Sequence, residues 1–185
     1  MKLIACAVGM ALLAQQQPAT PGMHYNQSAG FSINLPPKND EWAFREKQKG
    51  GDPPIGAMFK DSKLVVAHKV DELAIEILQF DQTSDLKKQV EADWNNISGS
   101  PGFKDPKRIE MKAAKLPGTS VNAQYLEVEF LRSDKKCEYR EWVVVGKENQ
   151  CTYIIMMHGD EGMYKKRQKE ADLIISSFKT WKKPK

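Results

Sequence analysis

Cysteine is scarce, with three residues in 185, too few for a disulfide-built scaffold. Glycine (12) and proline (10) are too sparse for a collagen or a linker protein. Charge of one sign is not in excess: 28 Lys and Arg meet 24 Asp and Glu, a net +4 with the signs interspersed, so no strong electrostatic address is written overall. No internal repeat or low-complexity block interrupts the chain. Beyond the first residues no apolar run approaches the ~20 residues of a membrane helix. What is present is a 41% hydrophobic fraction spread evenly along the chain, which excludes a disordered protein. The length suits one domain, able to bury roughly 70% of its unfolded surface without a metal or bridge to staple it.

Residues 1–14 have the layout of a secretory signal peptide: Lys2, an apolar run from Leu3 to Leu13, then the small residue Ala14. Cleavage is expected after Ala14, giving a periplasmic or secreted product with no transmembrane segment. Leu3-Ile4-Ala5-Cys6 resembles a lipoprotein box, but almost no hydrophobic segment precedes Cys6. Residues 15–29 read as a flexible leader punctuated by Pro18, Pro21 and Gly22.

From residue 30 the pattern turns regular. Gly30 to Pro36 alternates apolar and polar residues, as a half-buried strand does, and Trp42 and Phe44 begin another short apolar segment. Gly50 to Pro54 is a turn. Ile55–Lys60, Leu64–Val70 and Leu73–Phe80 read as strands. Thr83-Ser84-Asp85 supplies N-cap candidates, and Leu86, Val90, Trp94 and Ile97 share one helical face. Ser98 to Lys107 reads as a long loop and Ile109–Leu116 as a strand. Ala123–Leu131, Cys137–Val145 and Cys151–His158, joined by short links, make an antiparallel meander. A final helix is expected from about Asp160 to Phe178, with Asp160 and Glu161 at its positive end. Residues 30–180 thus form one domain, and 181–185 a basic tail.

The opening Gly30-Phe31-Ser32-Ile33 through Pro36 to Trp42, the hairpin strand ending Tyr153-Ile154-Ile155, and the closing Ile174-Ile175-Ser176-Ser177-Phe178 occur in this order along most of residues 30–180. In that order and spacing the chain resembles the PsbP-like superfamily, the fold of the photosystem II extrinsic protein PsbP and the Ran-binding Mog protein. The resemblance implies an α+β fold, a central antiparallel β-sheet flanked by helices on both faces (an α/β/α sandwich). It also implies action by binding other macromolecules rather than by catalysis. No residue-level motif carries over either the photosystem or the Ran role, so the resemblance speaks to fold more than function.

Motifs that carry chemistry are missing. Gly51 and Gly56 have the spacing of two phosphate-loop glycines, but Ala57 and Met58 stand where Lys and Ser or Thr are needed. HExxH, CxxC and GxSxG do not occur. His24 lies in the leader. His68 with Asp71 and Glu72, and His158 with Asp160 and Glu161, each offer imidazole and carboxylate to a metal; the bland reading is a polar strand-end residue beside a solvated turn. No catalytic or metal site is assigned, and no cofactor. Cys137 and Cys151 lie on one hairpin whose turn centres near Glu148, with Val145 facing Cys151, so they are far too distant to bridge and two free thiols are expected. Lys165, Lys166, Arg167, Lys169, Lys179, Lys182, Lys183 and Lys185 concentrate basic charge near the C-terminus, beside Trp181. Nucleic acid is disfavoured, because no aromatic platform interleaves with these charges. Asn26-Gln27-Ser28 and Asn96-Ile97-Ser98 match the N-glycosylation pattern, which matters only in a eukaryotic secretory host.

The leading functional reading is an exported, non-catalytic binding module of the PsbP-like type, contacting a protein or envelope component. One alternative is a metal-binding protein or small enzyme using His68 or His158. The other is association with an anionic surface through the basic C-terminus.

Overall fold

A computed structural model describes residues 22–36, 41–45 and 63–182. The expected signal peptide, the strand over Ile55–Lys60, the turn at Gly50–Pro54 and the last three residues lie outside this set.

The elements succeed one another as β1 (Met23–Asn26), β2 (Phe31–Asn34), β3 (Trp42–Arg45), β4 (Leu64–His68), β5 (Leu73–Phe80), α1 (Leu86–Gly99), β6 (Lys104–Lys115), β7 (Asn122–Arg132), β8 (Lys135–Gly146), β9 (Cys151–Asp160), α2 (Met163–Ser176) and β10 (Lys179–Thr180). Seven strands make one antiparallel sheet in the order β3-β4-β5-β9-β8-β7-β6, and β1-β2-β10 make a small second sheet. The meander read over residues 123–158 is present, extended by β6. The architecture is the expected α+β sandwich.

Period-2 patterning assigns the two faces of the large sheet. Leu73, Ile75, Ile77, Trp142, Val144, Tyr153, Ile155 and Met157 point to one side, where Ala171, Ile174 and Ile175 of α2 and Phe31 and Ile33 of β2 cover them. Leu78, Leu126, Val128, Tyr139, Val143, Ile154 and Met156 point to the other, beneath Val90 and Ile97 of α1. No helix among the described residues is long and apolar enough to cross a membrane.

Local chemistry sets the helix ends. The Asp85 carboxylate accepts the backbone N–H groups of Lys87 (3.0 Å) and Lys88 (3.3 Å), closing the start of α1. α2 begins at Met163, three residues later than expected. β9 runs through Asp160, and Gly162 (φ +78°) makes the turn, a left-handed conformation that glycine adopts without strain. Asp160 and Glu161 therefore do not sit in the first helical turn.

Five further readings are corrected. Met23–Asn26 belongs to a strand paired with Phe31–Asn34, not to a mobile leader, and His24 packs its ring 5.3 Å from Phe44. The Ser98–Lys107 loop is mostly regular structure: α1 reaches Gly99 and β6 begins at Lys104. Phe178 lies past the end of α2, in the turn to β10, and Trp181 donates its backbone N–H to Gly30 instead of starting a free tail. The β8–β9 register is displaced by one residue, Gly146 rather than Val145 standing opposite Cys151. The four-residue turn, with Gln150 at φ +54°, sets that offset.

Candidate functional site

Polar side chains collect in three places. The first is the rim between α2 and the β3–β4 edge. His68 is buried at the end of β4, edge-on to Trp42 with ring centroids 5.2 Å apart. Its Nδ1 accepts the backbone N–H of Asp71 at 2.9 Å, so the neutral ring carries its proton on Nε2, facing Glu41 Oε2 at 3.4 Å. Trp42 donates its indole N–H to Glu170. Arg167 reaches in from α2, donating to Asp71 (2.7 Å) and Glu41 (2.9 Å) and lying 3.5 Å from Glu170. Lys166 adds a bond to Asp71 at 2.8 Å. The hydrogen bonds from Lys166 and Arg167 hold the Asp71 carboxyl below the usual carboxylate range.

One ligand atom each from Glu41, His68 and Glu170 lies within 4.8 Å of the others, a spacing a metal ion can use. The Arg167 guanidinium is bonded to Glu41 and stands beside Glu170, and His68 Nε2 carries a proton. A metal would have to displace both. The donor set as arranged suits a cationic side chain and locks α2 to the sheet edge. Of the partners read from sequence, Asp71 meets His68, while Glu72 turns instead toward Arg132 and Lys135.

The second cluster lies beneath α1. His158 is 2% exposed and Glu76 is fully buried, and His158 Nε2 meets Glu76 Oε1 at 2.7 Å. Asp160 and Glu161 take no part; they pair with Lys135 and Lys136. On the neighbouring strand Tyr139 donates its hydroxyl to Glu141 Oε2, while Glu141 Oε1 accepts no hydrogen bond. Asp93 of α1, held by the Gln89 side-chain amide, lies within side-chain hydrogen-bonding reach of Glu141. Burial, reinforced by the charge of Asp93, pushes the Glu141 carboxyl well above the usual range, and burial raises Asp93 and Tyr139 as well. The shift favours the protonated form of Glu141. Sequence reasoning missed this group. Its signal was a carboxylate on the apolar side of a strand buried on both faces, Glu76 between Ala74 and Leu78.

The third place is the far end of β6–β8, where a groove of about 410 Å³ opens among Asp105, Lys107, Phe130, Leu131, Lys136 and Glu138. Two register shifts, between Lys104 and Lys107 and between Arg108 and Glu110, part β6 from β7 there. Cys137 borders the groove, but burial raises its thiol pKa, which leaves little thiolate to act as a nucleophile. Cys137 stands opposite Asp160, nine positions along β9 from Cys151, about 30 Å at the strand rise. Both thiols are buried and free.

Of the basic C-terminal residues, Arg167 and Lys166 are engaged at the rim, whereas Lys165, Lys169, Lys179 and Lys182 are exposed. Asn26 uses its side-chain oxygen to accept from Ala29 and Ser28, and Asn96 lies within α1.

No protein-family model matches the chain, and no curated protein matches it by sequence. Solved structures do. Cyanobacterial PsbP (CyanoP) of Synechocystis superposes with a TM-score of 0.56 at 14% identity, over 92% of this chain and 99% of that one. LpqN of Mycobacterium tuberculosis, which is involved in cell envelope biogenesis, gives 0.54 at 14% identity, over 82% and 84%. A Bacteroides thetaiotaomicron protein gives 0.55 at 15% identity over 87% of this chain, which spans about half (48%) of that protein's length. At these identities the likeness is one of fold, and the fold is PsbP-like.

Proposed function

We propose that the chain is an exported, non-catalytic accessory module that binds a protein or another envelope component. One observation carries this reading: the chemistry-bearing side chains are bonded to one another, while a twelve-residue strand, β6, lies at the edge of the large sheet. His158 and Glu76 are buried against each other in the sheet, and His68 is closed in by Glu41 and Asp71, with Arg167 bound to both carboxylates. A general acid or base needs a reacting group within hydrogen-bond reach, and neither imidazole offers that access. Binding needs only surface, and β6 supplies it. The signal-like layout of residues 1–14 supports export.

Expression of the full chain with a C-terminal tag in a bacterial host, then fractionation and N-terminal sequencing, tests the location. A periplasmic or secreted product beginning near Gln15 is expected. A cytosolic product that retains Met1 refutes export. Cross-linking in the native envelope fraction tests binding. A discrete adduct is expected, and its absence counts against the module reading.

A further inference from the structure

We infer that the outer edge of β6 takes up an extended, acidic segment of a partner protein as an eighth strand of the large sheet. This deepens the reading of a binding module and rests on it. β6 pairs with β7 on one side, and among the described residues no strand lies on the other. Half of its backbone N–H and C=O groups therefore point outward, a template for one more strand.

The two halves of β6 differ in fitness for this. Residues 104–109 carry both register shifts, Pro106, and Asp105 in a left-handed conformation (φ +49°), all of which spoil an edge ladder. From Glu110 opposite Glu127 to Lys115 opposite Asn122 the pairing runs without a shift, so this half is regular enough to extend. Six residues span about 20 Å of strand. Ala113 and Ala114 put no bulk in the way, and Ile109, 50% exposed, offers an apolar anchor beside the regular half.

Charge selects the occupant. The regular half carries Lys112 and Lys115 against Glu110, a net +1, and Arg108 stands just before it. Lys112 is paired with Glu110. Arg108 and Lys115 are instead held by neutral groups, the first over the Trp94 ring at 5.4 Å and the second by Asn122 and the Ser120 carbonyl. A second copy of this chain would bring another net-basic stretch alongside, whereas a segment rich in Asp and Glu gains cross-strand attraction with Arg108 and Lys115.

The probe is a labelled Asp-Thr-Val-Glu-Val-Thr-Asp peptide, with its Lys-substituted counterpart as control, read by fluorescence anisotropy on the chain begun after Ala14. The acidic peptide is expected to bind and to weaken as salt rises, and the basic one not to bind. Successive N–H groups of a strand point to opposite sides, so Ala113→Pro and Ala114→Pro must act differently. One faces β7 and lowers the thermal midpoint. The other faces outward and abolishes peptide binding with the midpoint kept. Arg108→Glu with Lys115→Glu should weaken the acidic peptide about tenfold or more while leaving the fold intact. The inference is overturned by no binding of the acidic peptide, by binding that survives both prolines, or by light scattering that finds a dimer lost in the outward proline. If the outward proline still cross-links its envelope partner, the module reading stands and the β6 assignment fails. If wild type forms no adduct, the module reading itself fails.

Discussion

A carboxyl group at 1% exposure, as at Glu141, is tolerated in a sheet face only with a proton on it or a cation beside it. The groups around Glu141 and its hydrogen-bond partner Tyr139 are Asp93 from α1, Glu76 from β5 and His158 from β9. None is an arginine or lysine, and burial favours the protonated carboxyl. The native carboxyl ionises at higher pH than the unfolded one. Its contribution to stability is thus complete below the ordinary carboxylate pKa and is lost as pH rises through the raised native value. Glu141→Gln keeps an acceptor for Tyr139 without a titrating proton. It should gain on wild type as pH rises from 4 to 8, by up to about 1.4 kcal/mol per pH unit where the unfolded carboxyl is ionised and the native one is not, and be no more stable at pH 4. Urea midpoints at the two pH values check this, and equal differences at both would show that Glu141 does not titrate. Asp71 works in the opposite sense: Lys166 and Arg167 lower its pKa, so its contribution is present above the ordinary carboxylate pKa and fades as pH falls.

At the scale of elements, α2 and the small sheet are held down by aromatic packing. Phe178 lies 5.8 Å from the Phe31 ring and 5.3 Å from that of Tyr153, joining the chain after α2 to both sheets. Tyr153 completes the junction by donating its hydroxyl to the Ala29 carbonyl at 2.5 Å and accepting from Asn149. Phe178→Ala should cost about 3–5 kcal/mol in chemical denaturation. A loss below ~1 kcal/mol would mean that this end of the chain does not dock. Gly159 marks another close approach: a Cβ there would collide with the Glu72 carbonyl oxygen. Gly159→Ala should therefore push β5 from β9 and lower the thermal midpoint by several degrees.

At the scale of the molecule, the sheet separates two cores and places Cys151 and Cys137 in different ones, Cys151 against α2 and the small sheet, Cys137 on the α1 side. Denatured, unreduced protein begun after Ala14 should titrate two thiols per chain, while the folded protein reacts slowly because both sulfurs are buried. A denatured chain with no reactive thiol would contradict the β8–β9 pairing.

Alternation and amphipathic spacing are local properties, and the sequence alone determined the features that depend on them: seven of the described strands (β2 and β4 to β9), two helices, the meander and the face of core residues such as Ile75, Val90 or Ile174. Short strands such as β1 and β10 escaped it, because two to four residues gain their conformation from the β2 backbone they pair with. Polar company was decided by the tertiary structure alone. His158 meets Glu76 from 82 residues away rather than Asp160 beside it, and His68 meets Glu41 across the β3–β4 edge. Strand order and register choose those partners, since a buried charge bonds to whatever the neighbouring strand presents and not to its own neighbours along the chain.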